Sequence, residues 1–290
     1  MTESAVRPRL VVMVPTYNEA GNIEALVKEL LALAVPADVH VLVADDNSPD
    51  GTGRIAQALA AVNPRIHALI RTKRRGRGAA GIDGFKAALA LGADYVVEMD
   101  GDFSHQPRFI PALFAAAATS AASATTESTG LSVGGADNLV DSAVKDGLVV
   151  ADVPNAADVA IGSRFVPGGS DSDRSIVRRA ITWCLRRFIR RKFRTSVRDV
   201  SSGFRLFRRG ILERIDLDDL ISVGPSIVLE ILYKIELLRA SIVEVPIEFV
   251  DRRAGTTKLS ALTLFETLLM AIKFPKLYGP VPPKGAAAWS

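Results

Sequence analysis

Two carboxylates one residue apart, Asp100 and Asp102 of Asp100-Gly101-Asp102, stand directly after the apolar run 95–99. Hard oxygen donors so placed can share a divalent cation together with the phosphates it carries. A cation there would neutralise a departing diphosphate. The triplet alone also fits a solvated turn, and its position at the end of an apolar run is what favours the cation. His105 follows closely and suits either a phosphate or sugar contact or a structural hydrogen bond. A second acidic group, Asp45-Asp46-Asn47-Ser48-Pro49-Asp50-Gly51-Thr52, closes the apolar run 39–44. A helix cap at Asp50 or Thr52 and a turn at 47–49 explain part of it. Asp45 and Asp46 are left over, and they suit hydrogen bonding to the base or ribose of a nucleotide. Pro15-Thr16-Tyr17-Asn18-Glu19 offers a ring to pack beside a base and a carboxylate to receive its N–H groups, with a turn and helix cap as the competing explanation. The stretch Arg71-Thr72-Lys73-Arg74-Arg75-Gly76-Arg77-Gly78 sets cations, Arg74 among them, and backbone N–H groups near a helix start, where phosphate is favoured. It carries neither phosphate-loop nor dinucleotide-fingerprint spacing, which counts against P-loop kinases and Rossmann dehydrogenases.

The elements that must position these groups alternate. Apolar, β-branched runs at 10–14, 39–44, 66–70 and 95–99 predict strands, and the patterns at 20–33, 51–62 and 78–91 predict helices. Such alternation implies an α/β fold with a mostly parallel sheet flanked by helices and right-handed crossovers. Ligands bind such sheets at the carboxyl ends of the strands, where the polar clusters fall. Further strands are predicted at 158–162, 201–207 and 242–245, and helices at 175–194, 227–238 and 259–274. The reading is one domain over 1–275, with a flexible Ala/Ser/Thr/Gly-rich insertion at about 115–156 and a frayed Pro-rich tail over 276–290.

Charge narrows the partners. The net charge is +4, yet 14 of the 36 basic residues lie between Ile161 and Gly210 against 3 acidic ones, leaving 22 against 29 elsewhere. In the helix predicted at 175–194, eight Arg/Lys interleave with Trp183, Phe188 and Phe193, a composition suited to a membrane interface. A solvated basic face is the plainer explanation. A nucleic-acid binder is a third, but it would set Asp45, Asp46, Asp100 and Asp102 beside a polyanion without purpose. The N-terminal residues do not read as a signal peptide, and no window reaches the roughly 20 apolar residues of a spanning helix. A single cysteine, Cys184, is compatible with a reducing compartment. The expectation is a cytoplasmic protein, peripheral on the cytoplasmic membrane face.

Six motifs, PTYNE, DDNSPDGT, DGDFSHQP, IGSRF, DVSSGFR and DRRAGTTKLS, occur in order over about 10–275. In this the chain resembles the family 2 glycosyltransferases, and more narrowly the dolichyl-phosphate (polyprenyl-phosphate) mannose synthases. The resemblance implies a GT-A fold and an inverting transfer of mannose from GDP-mannose to polyprenyl phosphate, with glucose from a UDP-sugar as the alternative. Pro15, Tyr17, Glu19 and Asp45 would hold the nucleotide, and Asp100 and Asp102 would hold Mg²⁺ or Mn²⁺. Arg164, with Arg178 and Thr182, would receive the lipid phosphate. Arg252 and Lys258 would grip donor diphosphate or acceptor phosphate. Asp199, Ser202 and Arg205 match a segment with a partly structural role. Partners would be a nucleotide-sugar, a polyprenyl phosphate and the membrane surface, with interfacial helices or a separate anchoring protein in place of spanning helices; nucleic acid is not expected. The chain departs from the family in Arg77, where an apolar residue is usual, in Ser104, where some members carry a glutamine ligand, and in GPSIVLE from Gly224 to Glu230.

Overall fold

The computed structural model describes residues 6–73, 75–118, 156–171, 176–249 and 261–283, with the side chains of 176–181 and 261–265 outside that description. Seven strands form one sheet: β1 Arg9–Thr16, β2 Asp38–Asp45, β3 Ile66–Ile70, β4 Tyr95–Glu98, β5 Val159–Ser163, β6 Arg205–Arg208 and β7 Ile242–Pro246. Their order is β3-β2-β1-β4-β6-β5-β7. The first four strands run parallel, as does β7 beside β5. The sheet is mostly parallel, as expected, with β6 antiparallel to both β4 and β5. Strand direction depends on the route of the connections, which apolar patterning does not encode.

The helices are α1 Ile23–Leu31, α2 Thr52–Val62, α3 Arg77–Ala90, α4 Ile110–Ala118, α5 Ile176–Phe193, α6 Arg209–Arg214, α7 Ile227–Leu237 and α8 Ala261–Leu277. Strand β1 is buried on both faces and shows why two layers form. Leu10, Val12 and Val14 join Ile23 and Leu26 of α1 and Leu113 of α4. Val11 and Met13 point the other way, into a core with Phe85 of α3, Phe193 of α5, Ile231 of α7 and Phe274 of α8. Side chains alternate across a strand, so an unbroken apolar run serves two helical layers at once.

Of the insertion expected over about 115–156, Ala116 and Ala117 are buried within α4; 119–155 lie outside the described residues. The tail expected to fray from 276 is instead packed over 276–281. Tyr278 Oη donates to Asp219 O at 2.8 Å and to Glu230 Oε1 at 2.5 Å, and Val281 is buried with its carbonyl accepting from Arg194. No helix among the described residues is long and apolar enough to cross a membrane.

Candidate active site

The loops after β1 and β2 are tied together before any ligand is considered. Asp45, fully buried, accepts from Thr16 Oγ1 at 2.9 Å and from the backbone and side chain of Ser48 at 2.8 and 2.6 Å. Ser48 Oγ accepts from Asn18 N, Thr52 Oγ1 from Glu19 N and Asp50 Oδ2 from Ala20 N, all within 3.0 Å. Asn18 and Asn47 adopt left-handed backbone angles in these loops. The result presents Tyr17, 40% exposed, at the carboxyl end of the sheet beside the half-buried Pro15 and Glu19. Asp46 is buried as well. It pairs with Arg71 and accepts from Gly76 N at 2.7 Å, so it anchors the glycine-rich turn that begins α3. Both carboxylates are buried and hold these loops together from within the protein.

The Asp100-Gly101-Asp102 turn follows β4 and lies against the first loop. A Cβ on Gly101 would stand 3.3 Å from Thr16 and 3.5 Å from Glu19. Asp102 is buried and accepts from Ser104 N at 3.0 Å and Ser104 Oγ at 2.6 Å, and Phe103 between them is left-handed. Ser104 thus supports one of the expected metal carboxylates. Asp100 accepts from Arg77 Nη2 at 2.8 Å, and its own N–H donates to His105 Nδ1 at 3.0 Å. That bond fixes His105 as a structural acceptor. Burial lowers its pKa against the pull of Asp100 and Asp102, with Arg77 and Arg164 adding to the lowering. The ring stacks on Phe204 with centroids 5.1 Å apart and meets Phe249 edge-on at 5.9 Å.

Phe249 links this turn to Arg164, whose guanidinium lies 5.1 Å from the same ring. Arg164 Nε and Nη2 form a two-pronged pair with Asp199 at 2.7 and 2.9 Å, and Nη2 also reaches Ser201. Burial opposes both charges, but their mutual attraction wins, raising the arginine and lowering the aspartate. With Nε and Nη2 so committed, Nη1 is the edge that can turn to an anion. Arg205 is fully buried, donating to Val228 O and Val200 O, and burial pushes it down to about 10. Ser202, also buried, accepts from Phe204 N.

The profile of Glycosyl transferase family 2 matches residues 11–131. The polyprenol monophosphomannose synthase of Mycolicibacterium smegmatis is 34% identical over 268 residues, covering 91% of this chain and 87% of that protein. The chain belongs to glycosyltransferase family 2. The undecaprenyl-phosphate mannosyltransferase of Micrococcus luteus is 37% identical over 252 residues, covering 87% and 88%. Among solved structures, glucosyl-3-phosphoglycerate synthase from Mycobacterium tuberculosis, crystallised with Mn²⁺ and UDP, superposes with a TM-score of 0.54 at 18% identity, covering 97% of this chain and 83% of that one. At that identity the likeness concerns the fold, which is GT-A.

In this family 2 glycosyltransferase, helix α5 buries Ile189 and Phe193 in the core and exposes other residues. Thr182 is half-buried, and Trp183 is 59% exposed. A cavity of about 310 Å³ is lined by Trp183, Arg186, Arg187, Arg190, Arg191 and Thr195. Arg186 and Arg190 are held by the carbonyls of Arg198 and Ser196. The side chain of Arg178 and all of Arg74, Arg252 and Lys258 lie outside the described residues. Sequence reasoning missed the Arg77–Asp100 pair, the buried Glu98 beneath it and the bridging role of Phe249. Arg77 departs from the family pattern, but its partner comes from a different segment, 23 residues on, and Phe249 carried no signal.

Proposed function

We propose that this enzyme transfers a hexose, mannose from GDP-mannose, to the phosphate of a polyprenyl phosphate at the cytoplasmic membrane face, with inversion. The observation that carries the reading is the convergence of three segments at the carboxyl edge of one sheet: the Tyr17–Glu19 loop, the Asp100–Asp102 turn and the Arg164–Asp199 pair. The lipid-phosphate mannosyltransferases named above support the choice of sugar and acceptor. Tyr17 and Glu19 face the nucleotide, and Asp45 and Asp46 hold the loops that seat it. Asp100 and Asp102 supply hard carboxylate oxygens of the kind that suit Mg²⁺ or Mn²⁺. Among the described residues no group of three His, Cys, Asp or Glu forms there, so Asp100 and Asp102 would hold the cation together with oxygens from outside the protein. Held by Asp100 and Asp102, a divalent cation would supply positive charge to the departing diphosphate.

The acceptor phosphate is anionic at neutral pH and attacks the anomeric carbon without a general base. It needs alignment and relief from repulsion by the donor. Arg164, held rigid by Asp199, offers one guanidinium edge for this, with Arg178 and Thr182 on the helix beyond and Arg252 and Lys258 from the later motif. Arginines clamp phosphate with directed donors, whereas a lysine provides a point charge. The exposed arginines and Trp183 of α5 rest on the membrane surface.

Purified enzyme mixed with Mn²⁺, a short polyprenyl phosphate and separately labelled GDP-mannose or UDP-glucose tests the reading. Label should enter the organic phase from GDP-mannose and be lost in Asp102→Ala. Transfer from UDP-glucose alone would replace the sugar, and binding of donor without transfer to lipid would overturn the acceptor.

A further inference from the structure

Arg77 is one of the positions where the chain leaves its family's pattern, and the structure gives that arginine a specific place. It opens helix α3, where the helix dipole disfavours a cation. Its guanidinium nevertheless turns onto the Asp100–Asp102 turn. Nη2 donates to Asp100 Oδ1 at 2.8 Å, and Nη1 stands 3.7 Å from Glu98 Oε1, too far for a hydrogen bond. Nη1 and Glu98 Oε1 are both buried without a hydrogen-bond partner. Room for the guanidinium comes from Gly203, where a Cβ would stand 2.5 Å from Nη2. Asp100, Glu98 and Asp102 outweigh burial and hold Arg77 charged. About a quarter of the side chain is exposed, so it can exchange partners.

Resting on the cation site assigned to Asp100 and Asp102 above, we propose that Arg77 is a built-in competitor for that site. Its guanidinium occupies the Asp100 carboxylate, and a divalent cation binds only by displacing it. A donor diphosphate offers the displaced guanidinium a new anionic partner, so the nucleotide loosens the competition. Cation affinity is therefore held low until the nucleotide arrives, and Arg77 is a positioning residue that orders the two binding events.

The test is titration of full-length enzyme with Mn²⁺ alone, followed by electron paramagnetic resonance, in wild type and Arg77→Leu. Freeing one carboxylate from a charge-assisted bond should tighten Mn²⁺ binding by about tenfold. Adding GDP should tighten binding in wild type and narrow the gap between the two proteins. An Arg77→Leu affinity equal to or weaker than wild type overturns the proposal while leaving the cation site standing. If Asp102→Asn does not weaken Mn²⁺ binding in the Arg77→Leu background, the cation lies elsewhere and the site assignment falls as well. Should Arg77→Leu fold poorly because Glu98 is stranded, Arg77→Leu/Glu98→Gln carries the same expectation.

Discussion

At the scale of single residues, the site is built from charges that are mostly answered inside the protein. Asp45, Asp46, Asp199 and Arg164 are all buried, and each is paired or multiply hydrogen-bonded. A buried pair contributes little net stability as a whole, but removing one member strands the other. Arg164→Met should therefore lower stability by about 3–5 kcal/mol, because Asp199 stays buried and ionised. Urea unfolding measures this, and an unchanged midpoint would mean that Asp199 is relieved by protonation or water. The types of Asp45, Asp100 and Asp102 and their places at strand ends were legible from sequence. Their partners were not: Asp199 lies 35 residues from Arg164, and only folding brings the two together.

Among the elements, the start of α3 shows how closely loops must approach to form the site. Gly78 N donates to Val223 O at 2.7 Å, and a Cβ on Gly78 would stand 2.3 Å from Ser222 O and 2.8 Å from Val223 C. Those atoms are backbone and cannot swing aside. Gly78→Ala should cost about 1–3 kcal/mol through forced displacement, read as a lower melting temperature together with weaker nucleotide binding. Glu230 holds the opposing loop by accepting from Ile221 N and Ser222 N, so the departure at 224–230 keeps this structural contact. Helix α5 acts outward instead. If its arginines meet an anionic bilayer, Arg187→Gln/Arg191→Gln should reduce cosedimentation with anionic vesicles. Raising ionic strength from about 0.1 to 1 M should do the same, since the screening length shrinks from roughly 10 to 3 Å. Binding indifferent to both would remove the electrostatic part of the membrane reading.

Over the whole molecule, acid should act in two windows. His67 on β3 stacks on His40 of β2, ring nitrogens 3.0 Å apart, while Asp38 holds the far side of His40. Burial first, then His40 and Arg9, lower the pKa of His67 below its ordinary 6.5. Below that value the unfolded chain takes up a proton that the folded protein resists, so stability is full above it and is lost as pH falls through the folded value. His105 is lowered in the same sense. Asp50 and Asp199 have pKa values below their ordinary 3.8, Asp50 through Thr52 and Asp199 through Arg164, each overcoming burial, so their contribution disappears only in stronger acid. Melting temperature against pH should show a first decline beginning below about 6.5 and a second below about 4. His67→Asn should flatten the first decline in part, and a profile identical to wild type would show that His67 takes its proton freely.

What the amino-acid order determined by itself is the α/β alternation, the carboxyl-edge position of the polar loops and the motif set of a family 2 glycosyltransferase. These are local properties: a run of β-branched residues makes a strand wherever it lies, and a polar cluster after it must fall at the strand's end. Tertiary structure alone decided that β6 runs against its neighbours, that 276–281 pack instead of fraying, and that Asp45 and Asp46 are turned inward. It also decided that Arg77 meets Asp100. Each of these depends on contacts between segments distant in the chain, where distance and direction are set by packing and are absent from any local pattern.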